Sequence, residues 1–139
     1  FPDDVRHFRS WNAHSLFFWD PAGNIVEYIA RHDLDNASPG AFTQADILYA
    51  SEIAFIVDDV PAAAAALRGD LELPPYRGTS DIFAATGDER GLLLLFRRGR
   101  EIGDVLRDRP APVEIFETGA RIRGGRSHRP AGYPYEIVS

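Results

Sequence analysis

Phe18-Trp19-Asp20-Pro21-Ala22-Gly23-Asn24-Ile25-Val26-Glu27-Tyr28-Ile29 is the stretch whose reading decides the fold. Proline and glycine bracket a turn between an aromatic run and a β-branched run, so residues 13–19 and 25–29 read as the two strands of a hairpin. A five-residue connection sets Trp19 opposite Ile25, Phe17 opposite Glu27 and Ser15 opposite Ile29, all on one face. Glu27 is therefore expected among apolar side chains. The other face takes His14, Leu16, Phe18, Val26 and Tyr28, so both faces are apolar and both need cover.

Residues 33–46 are rich in turn formers and read as a connector. Beyond it, Ile47 to Val57 is strand-like. Asp58-Asp59-Val60-Pro61 then supplies a carboxylate cap with proline in the first turn, opening an alanine-rich helix that is expected to stop near Gly69. Residues 81–86 and 92–97 flank a Gly87-to-Gly91 turn as a second hairpin, and Val113 to Thr118 completes a β-α-β-β-β order. Arg121-Ile122-Arg123-Gly124-Gly125-Arg126-Ser127-His128-Arg129 reads either as a solvated loop or as a flexible grip for phosphate or carboxylate.

Composition narrows the function classes. With no cysteine, disulfides, thiolate catalysis and cysteine-ligated metals are excluded, which leaves His, Asp and Glu as ligands. A net charge of −6 and a pI near 5.1 argue against a nucleic-acid partner, which demands a basic face. The longest apolar runs, Val60 to Leu67 and Leu92 to Phe96, fall far short of the roughly 20 residues that cross a bilayer. No membrane partner and a cytoplasmic location are expected. A chain that opens at Phe1 and holds no methionine is expected to be part of something longer.

The hairpin segment resembles the third-to-fourth strand hairpin of a vicinal oxygen chelate module, whose pattern is aromatic, Asp-Pro-x-Gly-Asn, two residues, Glu, apolar. Ser51-Glu52-Ile53-Ala54-Phe55-Ile56-Val57-Asp58-Asp59 resembles the first strand and helix start of the next module, with Glu52 where histidine usually stands. This is the glyoxalase, bleomycin-resistance and extradiol-dioxygenase superfamily. The resemblance implies an α+β fold of paired βαβββ modules, the first incomplete at its N-terminus. Residues 1–34 would hold the end of that module, 35–46 the linker, 47–120 the second module and 121–139 a C-terminal extension. It also implies a homodimer.

In metal-dependent members the ligands come from the first and fourth strands of each module, around a cupped site. The resemblance therefore makes Glu27 a metal ligand or catalytic base and Glu52 a second metal ligand, holding Fe, Mn, Ni or Zn. Glu114 and Glu117 both stand as candidates for a further ligand; three residues apart on one strand, they point to opposite faces. Phe17, Trp19, Ile25 and Ile29 would bind an apolar or aromatic small molecule around Glu27. A metal there would act as a Lewis acid in a lyase, isomerase or dioxygenase. The alternative is a metal-free binding protein of the bleomycin-resistance branch, which the missing histidine at Glu52 favours. His14 reads as structural, because it lies on the face opposite Glu27, and His7, His32 and His128 read as surface residues in loops.

Overall fold

The structure, a computed structural model, describes residues 5–100, 118–121, 126–132 and 135–138. They fall into two compact units, one within residues 5–49 and the other within 50–100 together with the C-terminal strands. The fold class is α+β, as expected.

The first unit is an antiparallel sheet of β1 (Val5–Phe8), β2 (Ala13–Trp19) and β3 (Ile25–Arg31), in the order β1-β2-β3. The β2–β3 register pairs Trp19 with Ile25, Phe17 with Glu27 and Ser15 with Ile29, as the turn length predicts. The turn is held by one carboxylate. Asp20 accepts hydrogen bonds from the amides of Ala22 (2.9 Å) and Asn24 (2.7 Å) and from Asn24 Nδ2 (2.8 Å), while Gly23 takes the left-handed backbone at φ +86°. Those bonds, the Asn24 side chain first, pull the Asp20 pKa below its ordinary value.

Strand β1 escapes the sequence reading because Val5-Arg6-His7-Phe8 is short, largely exposed and without an apolar alternation. It pairs with β2 alone and puts His7 directly opposite His14. The connector keeps its predicted character apart from one 3-10 turn, Gln44–Asp46, capped reciprocally by Thr43 and Asp46. From it Phe42 reaches Tyr28, with 5.6 Å between ring centroids, and Tyr28 meets Phe18 at 5.0 Å. Part of the outer hairpin face is thereby covered.

The second unit runs β4 (Glu52–Val57), α1 (Val60–Leu71), β5 (Pro75–Thr79), β6 (Phe83–Asp88) and β7 (Gly91–Arg97), with sheet order β4-β7-β6-β5. Strands β4 and β7 are parallel, so the chain must cross back between them, and α1 makes the crossover. Asp59 caps α1 by accepting from the amide of Ala62 at 2.9 Å. The helix continues past Gly69 to Leu71 and ends at Glu72 in the left-handed region, because Leu71 docks into the core and outweighs the glycine. Strand β4 itself begins at Glu52 rather than Ile47.

The β-α-β-β-β order is present, but the sequence reading assigns two strands wrongly. It takes 81–86 and 92–97 as second and third strands, whereas β5 is the second and those two are the third and fourth. Strand β5 is hard to read because Pro75 opens it and Arg77 and Gly78 interrupt it at φ +52° and +104°, at a register shift. An edge strand tolerates this. Of the expected Val113-to-Thr118 strand only Thr118 is described, where it begins β8 (Thr118–Arg121). β8, β9 (Ser127–His128) and β10 (Tyr135–Val138) form a small sheet with β10 central.

Val60, Ala64, Leu67 and Leu71 share one face of α1 and pack against Phe55, Val57, Ala84, Leu93 and Leu95. Ile137 of β10 closes the same cluster at 1% exposure, so the C-terminal stretch contributes to the core. Burying each of the Val, Leu, Ile and Phe side chains stabilises the fold by roughly 1.5–3 kcal/mol.

Candidate functional site

Alternation along β1, β2 and β3 puts Arg6, Phe8, Ser15, Phe17, Trp19, Ile25, Glu27, Ile29 and Arg31 on one face of the first sheet. All four residues predicted to bind a small molecule therefore share a face with Glu27. Phe8 extends the aromatic wall, its ring edge-on to Phe17 at 6.2 Å. At the far end Arg31 is buried, and its guanidinium lies 5.5 Å from the Trp11 ring. Glu27 is half-buried and is not without a partner.

Glu52 opens β4 in the second unit and is likewise half-buried and partnered. Its parallel neighbour on β7 is Leu92, and the same face continues through Ala54, Ile56, Leu94 and Phe96. This face of the β4–β7 pair offers one carboxylate among apolar groups. The Arg100 guanidinium sits over Phe83 and Phe96, 5.4 and 5.1 Å from their ring centroids, at the end of the same face.

Glu114 and Glu117 lie outside the described residues. Among the described residues no group of three or more His, Asp or Glu side chains is arranged to hold a metal. A divalent ion of the expected kind takes four or more ligands. Of the expected ligand set, the described residues supply Glu27 and Glu52, one from each unit, and β7 supplies no oxygen or nitrogen donor beside Glu52.

Three histidines that the sequence scatters do meet, on the face opposite Glu27. His7 stacks on His14 with ring centroids 4.2 Å apart, and His14 Nδ1 lies 2.6 Å from His32 Nε2. One proton must sit between those two nitrogens. The pairing of β1 with β2 creates this cluster, so a reading without β1 misses it. Partial loss of hydration, then the proximity of His14, Arg9 and His32, holds His7 below its ordinary pKa.

His128 is also more than a loop residue. Its side chain is 10% exposed, and its Nδ1 lies 2.7 Å from Asp70 Oδ2 on α1. In the arginine-rich stretch around it, Arg126 is bound to Glu72 (2.8 Å) and Arg129 to Glu136 (2.5 Å). Those two guanidiniums are committed to carboxylates, against the anion-grip reading.

No family model matches the chain, and no curated protein matches it. No helix among the described residues is long and apolar enough to cross a membrane.

Proposed function

We propose that this protein is a small-molecule binding protein of the vicinal oxygen chelate kind, taking an apolar or aromatic metabolite against the face of Phe17, Trp19, Ile25 and Ile29. The carrying observation is that β7, the strand in parallel register with Glu52, presents Leu92, Leu94 and Phe96 where a metal-dependent member would offer a ligand. The β4-α1-β5-β6-β7 run with order β4-β7-β6-β5 supports the βαβββ module reading. Binding would rest on apolar contact, with Glu27 as the polar group that orients the ligand. A homodimer accompanies this reading, by resemblance.

A second reading has its own support. Glu27 lies on the predicted face, in register with Phe17 and one step from Ile25 and Ile29, which suits a ligand or base in a metal-dependent lyase, isomerase or dioxygenase. Elemental analysis of the purified protein and of Glu27→Gln, prepared side by side, separates the two. The binding reading expects no stoichiometric Fe, Mn, Ni or Zn in either sample. Near-stoichiometric metal in the wild type that vanishes in Glu27→Gln would establish the metal-dependent reading instead.

A further inference from the structure

On the helix side of the second sheet, away from the face of Glu52, lies a cavity of about 240 Å³. Its room comes from small side chains: Ala62, Ala63 and Ala66 stand along α1 where bulkier residues would fill the space against Leu95 and Ile137. An apolar cavity of about 150 Å³ already stays dry and accepts benzene. This one is larger, is partly open to solvent where Asp58, Asp59 and Ala62 are exposed, and apart from those two carboxylates has one polar handle.

That handle is His128, which lines the cavity. A carboxylate can only accept, so the hydrogen of the His128–Asp70 contact sits on Nδ1; when the ring carries a single proton, Nε2 is the acceptor. Charge around the cavity selects further. Asp58 and Asp59 line it and Asp70 stands behind His128, so carboxylates and phosphates are repelled. Asp58 is already bound to Arg98 at 2.7 Å and Asp59 to the helix N-terminus, so neither calls for a cationic ligand.

We propose that this cavity is a second ligand site, for a small uncharged aromatic alcohol or phenol whose O–H donates to His128 Nε2 while its ring packs among the alanines, Leu95 and Ile137. It is separate from the Glu27 face and independent of the function assigned there.

The test is titration of the full chain with phenol and with toluene, which has the same shape without the hydroxyl, read by NMR of the Leu95 and Ile137 methyls and the His128 ring nitrogens. Phenol is expected to shift all three sets and to bind about tenfold more tightly than toluene, the worth of one buried hydrogen bond. Ala66→Leu, which fills the cavity with a good helix former, is expected to abolish binding; Ala63→Leu serves should that variant not fold. Asp70→Asn is expected to remove the preference for phenol and leave toluene unchanged. Absence of any shift, equal affinity for the two probes, or undiminished binding in a folded cavity-filled variant would overturn the proposal.

Discussion

His7 shows how a single side chain becomes informative only through its neighbours. In sequence it is an isolated polar residue near Arg6 and Arg9; in the sheet it stacks on His14, whose other contact is His32. Its pKa is lowered from the ordinary 6.5, so the folded state takes up a proton less readily than the unfolded chain. The associated stability is fully present above about pH 6.5 and is lost as pH falls through the lowered folded value. Thermal unfolding between pH 7.5 and 5 is therefore expected to show a falling midpoint, less steep in His7→Gln. Glu27 is the contrasting residue. Its place beside Phe17 is legible in the sequence alone, because a five-residue turn and strict alternation leave one register.

Among the elements, the β6–β7 hairpin carries the sharpest constraint. Gly87 sits at φ +124°, and a Cβ there would lie 2.1 Å from the carbonyl oxygen of Gly91, a backbone atom that cannot move aside. Gly87→Ala is expected to cost roughly 2 kcal/mol or more, from the strained backbone and the clash together. Urea denaturation should show it as a lower midpoint at unchanged slope. Gly91→Ala is the control: a Cβ there meets nothing within 4 Å and the backbone is not left-handed, so its midpoint should stay close to the wild type. The same scale explains which elements the sequence reveals. β2, β3, β6, β7 and α1 each combine an apolar pattern with a capping or turn signal. β1 and β5 are edge strands, as β3 and β4 are, but β1 has only four residues, and β5 opens on Pro75 and is broken at Arg77 and Gly78, irregularities that an edge tolerates and that erase the pattern.

Over the whole molecule, apolar burial is unevenly shared. The core cluster of Phe55, Val57, Val60, Leu67, Leu93, Leu95 and Ile137 belongs to the second unit, whereas the buried residues among those described in the first are Ala13, Ser15 and Arg31. Opening free energy follows such burial. Hydrogen exchange should therefore be slowest at the amides of β4, α1, β6 and β7 and faster in β1 to β3; equal protection across the two units would contradict this. By itself the sequence determined the Asp20–Asn24 turn, the β2–β3 register and the capped helix, because these follow from local backbone preferences and short-range alternation. Only the tertiary structure decided that β7 lies parallel to β4 and presents leucine beside Glu52, that three histidines converge, and that His128 meets Asp70 beside a cavity. Those contacts join residues far apart in the chain, and such pairings are chosen by the packing of whole elements, which no short stretch of sequence encodes.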